Sequence, residues 1–206
     1  KVVHYKEGAT TGIYPVPDTI KVSPFSLHLS CTCGHVYVGA YNKLMRISDG
    51  RYVDFATLGD DENAVVSDVV EDSTYVYVQT RQNGLYVYDK SGSLAGTFSL
   101  PGGYGRSSNA KELYIDSDGI VWVATQSGLL LIDIATGETR LLVSSLLDKC
   151  SLPNNSVWSI YPDPDGGVWI GACSRWPQLS YSQCVLRGFR RKSVDWDRGR
   201  RPIQME

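Results

Sequence analysis

The sequence predicts an all-β fold: a partial β-propeller of about four blades, each of four antiparallel strands. Three observations predict it. One short block recurs four times, as Val36-Tyr37-Val38-Gly39, Val76-Tyr77-Val78, Val121-Trp122-Val123-Ala124 and Val168-Trp169-Ile170-Gly171. Its aromatic anchors Tyr37, Tyr77, Trp122 and Trp169 are separated by 40, 45 and 47 residues. Between the anchors lie short β-branched and aromatic runs divided by turn signals, and four short strands per repeat of about 40–47 residues is the arithmetic of a propeller blade.

Composition agrees. The chain has 206 residues, of which 42% are hydrophobic and 20% charged, with 13 Tyr, 5 Trp and 20 Gly. That balance excludes intrinsic disorder, a collagen and a disulfide miniprotein. No apolar run approaches the roughly 18–20 residues that a membrane-spanning helix needs. The chain opens Lys-Val-Val, with neither an initiator Met nor a signal-peptide core, which reads as a processed or excised piece.

Taken in order, residues 1–33 read as a partial or divergent N-terminal blade, residues 34–173 as the blades proper, and residues 174–206 as a basic tail. Within the blades a second anchor precedes three of the aromatics: Asn63, Asn109 and Asn155 lie 14, 13 and 14 residues before Tyr77, Trp122 and Trp169. The runs Val65–Val70, Leu113–Ile115 and Val157–Tyr161 then supply a first strand, and the aromatic block a second. Asp116-Ser117-Asp118-Gly119 and Asp163-Pro164-Asp165-Gly166 are hairpin turns between the two, where Gly supplies positive φ and Asp bonds its own backbone. Gly84-Leu85 and Gly128-Leu129 open the third strands; Ser91-Gly92 and Thr136-Gly137 turn into the fourth. The bulky aromatic of each block serves structurally, wedged between neighbouring sheets.

Charge is distributed unevenly. Residues 1–173 carry a net charge of −7, residues 174–206 a net of +5. An acidic body argues against nucleic acid as a partner, since that needs a basic face.

At this point the residues resemble a family. Leu152-Pro153-Asn154-Asn155-Ser156-Val157, followed by Asp163-Pro164-Asp165-Gly166-Gly167-Val168-Trp169-Ile170-Gly171-Ala172, is similar to the two-component regulator propeller repeat. The stretch from Asn109 to Asp133 matches well but lacks the Val after its Asn; that from Asn63 to Asp89 matches loosely, with Tyr77 where Trp is usual. The resemblance implies the periplasmic sensor region of a bacterial hybrid two-component histidine kinase, present here as a fragment. It further implies an oligosaccharide ligand, a conformational signal relayed by a homodimer of the full-length parent, and a membrane connection only through parent segments not in this sequence. A stand-alone propeller that binds a ligand or protein is the alternative; a polysaccharide lyase or hydrolase is a third.

The family pattern continues Gly-Gly-Leu-Asn where this chain has Arg175-Trp176-Pro177-Gln178. Trp is always TGG and Pro always begins with C, so reading one base later forces GGC, a glycine, at position 176. The same shift permits Gly, Leu and Asn on either side of it. The repeat signal ends and the Arg-rich composition begins at the same place, so the tail is expected to be disordered or read out of frame.

No constellation for chemistry emerges. Cys31, Cys33, Cys150, Cys173 and Cys184 fit neither a zinc knuckle nor a tidy disulfide framework. The paired turn acids lack the bidentate Glu of a calcium loop. His4, His28 and His35 accompany no nucleophile elbow. No catalytic residue, metal or cofactor is therefore expected. The remaining candidates are ligand contacts in the loops after the second strand and between blades, which reach one end of a propeller: Tyr41, Arg81, Gln82, Tyr104, Arg106 and Gln126. Aromatic faces with Arg and Gln donors suit a sugar, whose ring stacks while its hydroxyls are hydrogen-bonded.

Overall fold

The computed structural model describes residues 1–17, 26–29, 35–59, 64–81, 83–99, 111–148, 151–164, 167–172 and 183–186. These contain strands and turns and no helix. The chain divides into two compact units, Lys1–Leu113 and Tyr114–Glu206.

The first unit opens with a hairpin, β1 (Val2–Lys6) and β2 (Ala9–Tyr14). Blade 1 follows as β3 (Ser26–Leu29), β4 (Val36–Gly39), β5 (Lys43–Ser48) and β6 (Arg51–Thr57), paired in that order. It therefore begins at Ser26, on the N-terminal side of the boundary expected near residue 34. Blade 2 is β7 (Val66–Glu71), β8 (Tyr75–Thr80), β9 (Leu85–Asp89) and β10 (Leu94–Phe98).

Blade 3 consists of β11 (Glu112–Ile115), β12 (Ile120–Thr125), β13 (Gly128–Asp133) and β14 (Thr139–Leu142), the division between units falling inside β11. Blade 4 has β15 (Val157–Pro162) and β16 (Val168–Ala172), with β17 (Gln183–Leu186) paired antiparallel to β16. The other residues of 174–206 lie outside those described, as do Asn63, Asn109 and the Asp165-Gly166 half of its turn. Three sheets of four strands and a fourth of three, each in simple sequential order, make this a partial β-propeller.

Blade-to-blade packing explains the apolar alternation. In the first unit Tyr37, Leu44 and Phe55 of blade 1 share a buried cluster with Val66, Val69, Val76, Val78 and Tyr88 of blade 2. Tyr37 meets Phe55 edge-on at 5.1 Å between ring centres, a favoured aromatic arrangement. In the second unit Trp122, Ala124, Leu129 and Leu131 of blade 3 pack on Val157, Ile160, Val168 and Ile170 of blade 4. Both faces of β4 are apolar, Tyr37 packing with blade 2 and Val38 with the β1–β2 hairpin, which is why this strand reads as a continuous hydrophobic run. Tyr37, Tyr77 and Trp122 are buried, at 1%, 1% and 3% exposure, while Trp169 is half-buried.

Open sheet faces are expected at both ends of a blade series, yet the first one is covered. Val2 and Tyr14 of the β1–β2 hairpin pack on Val38, Ala40, Met45 and Ile47 of blade 1, and the Tyr52 hydroxyl donates to the Tyr14 carbonyl at 3.2 Å.

Candidate functional site

Three of the candidate ligand residues fall in equivalent loops. Tyr41 lies between β4 and β5, Arg81 between β8 and β9, and Gln126 between β12 and β13; each loop joins the second and third strands of its blade. Gln82, Tyr104 and Arg106 lie outside the described residues.

In the first unit the backbone draws two of these loops together. Tyr41 forms an antiparallel bridge with Val65, the residue just before β7. The Asn42 amide donates to the Ala64 carbonyl at 2.6 Å and the Val66 amide to the Ala40 carbonyl at 3.2 Å. The Arg81 amide donates to the carbonyl of the same Val65 at 2.9 Å. Tyr41 and Arg81, from different blades, are therefore anchored on one residue of the connection that enters blade 2. Tyr41 is half-buried and Arg81 exposed. Asn42 sits at φ 49°, a left-handed conformation that Asn tolerates better than most residues. Its Oδ1 is buried and has no hydrogen-bond partner among the described residues.

Gln126 belongs to the second unit, where it is half-buried in a two-residue turn. Thr125 braces this turn: its hydroxyl donates to the Gly128 carbonyl at 2.7 Å and accepts from the Ser127 amide at 3.1 Å.

Glycine is required where the third strands begin. Gly84 and Gly128 have φ of 101° and 139°, and a Cβ there would collide with the carbonyls of Phe98 and Leu142 on the fourth strands. The loops carrying Arg81 and Gln126 are shaped by that close approach.

The turn acids at the opposite end of the blades are structural. The Trp122 indole donates to Asp116 Oδ2 at 2.9 Å, while Oδ1 accepts the amides of Asp118 and Ile120. The Trp169 indole donates to Asp163 at 2.6 Å and the Tyr77 hydroxyl to Asp72 at 2.7 Å. Burial raises the Asp72 pKa, but the bonds from Tyr77, Tyr75 and Thr74 outweigh it and hold the carboxyl low. Asn155 also braces the fold, its Oδ1 accepting the Ser144 amide at 2.6 Å. Among the described residues no group of three His, Cys, Asp or Glu could hold a metal.

Three features escaped the sequence pattern. Asp68 on β7 accepts the amides of Leu113 and Val69, each at 2.8 Å. Burial pushes its carboxyl up to about 6 against those bonds, with Glu112 adding to the rise. Glu71 is 2% exposed at its side chain and meets Lys90 at 2.6 Å. Gln79, fully buried, stands two residues after the aromatic, where the other blades have Gly39, Ala124 and Gly171. That departure from a small residue was the signal available for Gln79.

Comparison with known proteins fits this architecture. Residues 151–173 match the family described as Two component regulator propeller. No curated protein matches the chain. Among solved structures it is similar to the extracellular domain of BT4673 from B. thetaiotaomicron, described as a one component or hybrid two component system. There the identity is 24%, with 73% of this chain and 20% of that one covered at a TM-score of 0.60. It is similar to virginiamycin B lyase from Staphylococcus aureus at 18% identity, covering 71% of this chain and 48% of that one, TM-score 0.57. The WD40 β-propeller domain of Doa1 superposes with a TM-score of 0.62 at 14% identity, over 82% of this chain and 53% of that one. Identities this low establish a shared fold, and the chain spans about a fifth of the BT4673 domain. The chain is thus a partial β-propeller whose residues 151–173 match the two-component regulator propeller repeat.

Proposed function

We propose that this chain is part of the ligand-sensing propeller of a periplasmic two-component sensor, and that its ligand is an oligosaccharide. The observation that carries the reading is the convergence of Tyr41 and Arg81 on Val65 in a chain bearing the regulator repeat. A phenol ring can stack on a sugar face, and a guanidinium offers donors to its hydroxyls. The resemblance of the fold to the extracellular domain of BT4673 supports extracytoplasmic placement.

The chain does no chemistry in this reading. Ligand binding favours one arrangement of paired receptor chains over another, and the available energy is the ligand's differential affinity for the two arrangements. Pairing, membrane crossing and output belong to the parent receptor.

Calorimetry of the chain against cellohexaose, xylohexaose, maltoheptaose and partially hydrolysed pectin tests the proposal. Expected is a binding heat with at least one of these, weakened about tenfold or more in Arg81→Ala and Tyr41→Ala; a loss of about 1.4 kcal/mol produces that factor. Absence of heat with every sugar overturns oligosaccharide sensing, and the appearance of new reducing ends assigns the chain to the polysaccharide-cleaving propellers instead.

A further inference from the structure

The loop that carries Arg81 differs from its counterpart in blade 3 by one residue. Gly84 follows Tyr77 by seven positions, whereas Gly128 follows Trp122 by six. Both loops use a threonine brace. Thr80 Oγ1 donates to the Gly84 carbonyl at 2.9 Å and accepts from the Asn83 amide at 3.0 Å, matching the role of Thr125 in blade 3.

What accompanies the extra residue is Gln79. Its Nε2 donates to the Thr80 carbonyl at 2.6 Å and to the Gly84 carbonyl at 3.3 Å. These two carbonyls flank the loop, so one amide ties both sides of its base together. Two acceptors beside the same nitrogen also settle which way the carboxamide is turned. The Oε1 is then left in the interior without a hydrogen-bond partner among the described residues, an arrangement that opposes folding. Ala124, at the same position beneath the shorter loop of blade 3, offers no such donor.

We propose that Gln79 is a positioning residue that presents Arg81: its amide closes the base of the three-residue loop, whereas the shorter loop of blade 3 closes with its threonine brace alone. The consequence for ligand rests on the reading of Arg81 above; the consequence for the loop does not.

Hydrogen–deuterium exchange on the full chain, paired with the same calorimetry, tests this. Gln79→Met keeps the volume and removes the donors. It should raise exchange at the amides of Arg81 and Asn83 about tenfold or more, while the core amides of Val76 and Val78 stay protected. Gln79→Ala combined with deletion of Gln82 copies the blade 3 loop and should return that protection. Affinity for cellohexaose, or whichever of the four probes binds, should fall in Gln79→Met as it does in Arg81→Ala. Unchanged exchange at residues 81 and 83 in Gln79→Met overturns the proposal, as does failure of the shortened loop to recover protection. Raised exchange with sugar binding indifferent to Arg81→Ala sustains the positioning role and defeats the ligand reading of Arg81.

Discussion

The Trp122 indole donates to the carboxylate of Asp116, six residues earlier in the chain, at 2.9 Å. Tyr77 with Asp72 and Trp169 with Asp163 repeat the relationship in blades 2 and 4. In blades 2 and 3 one oxygen of the acid accepts amides from the turn while the other anchors the aromatic. A hydrogen bond to a charged group contributes roughly 1.5–3 kcal/mol. Asp116→Ala should therefore destabilise the chain by about 2–3 kcal/mol in urea unfolding, with Trp122→Phe losing less. Ligand affinity should be unaffected, because Asp116 lies in the turn between β11 and β12 and not in a loop between second and third strands. Equal stability of Asp116→Ala and the parent would refute the anchor role.

Glycine substitutions should sort by backbone geometry. Gly128→Ala places a Cβ against the Leu142 carbonyl at a φ of 139°, and strain of that kind costs about 1–3 kcal/mol or more. Gly96 has no positive φ and nothing within 4 Å of an added Cβ, so Gly96→Ala should be neutral or slightly stabilising. Thermal melts of the two variants decide it: comparable losses would remove the close-approach argument.

Asp68 makes stability depend on pH in a direction opposite to most carboxylates. Its pKa in the folded chain, about 6, lies above the ordinary value of 3.8. Between those values the folded state holds more protons than the unfolded one, so stability is greatest below about pH 4 and declines as pH rises through about 6. The decline attributable to Asp68 is at most about 3 kcal/mol. His28, lowered mainly by burial, works in the opposite sense and cancels when Asp68→Asn is compared with the parent. The difference in unfolding free energy between the two should change across pH 4 to 7; parallel curves would show that Asp68 titrates normally.

Two lysines should differ sharply. Lys90 meets a Glu71 carboxylate that is 2% exposed, whereas Lys43 meets Asp54 with 70% of its side chain in solvent. Removing one partner of a buried pair costs about 3–5 kcal/mol, and an exposed pair contributes about 0–1 kcal/mol. Lys90→Ala should lower the urea midpoint substantially and Lys43→Ala scarcely at all. Equal shifts would contradict the burial argument.

The repeat also makes a prediction about the coding sequence. Gly84 and Gly128 show that the position six or seven residues past the aromatic needs a glycine with positive φ. After Trp169 that place holds Arg175 and Trp176, whereas the next reading frame forces a glycine at position 176. Resequencing across codons 170–180 should reveal a one-base change near Ser174. A clean frame would make the basic tail genuine.

The sequence by itself determined the architecture. A repeat in which β-branched residues flank one aromatic places the second strand of each blade, since both faces of that strand must be apolar to lie between sheets. Asp-Gly turns and the Gly-Leu pair located the hairpins, because these residues bond their own backbone or adopt positive φ. Such signals are local, so they survive in one dimension. Tertiary structure alone decided the rest. The shared anchoring of Tyr41 and Arg81 on Val65 depends on a connection between blades, and the cover of blade 1 depends on where the β1–β2 hairpin docks. The Asp68 bond to Leu113 spans 45 residues of chain, and the buried state of Glu71 depends on Lys90 reaching it from another turn. These contacts join residues far apart in the chain, and no periodicity or turn residue records a partner that only folding brings near.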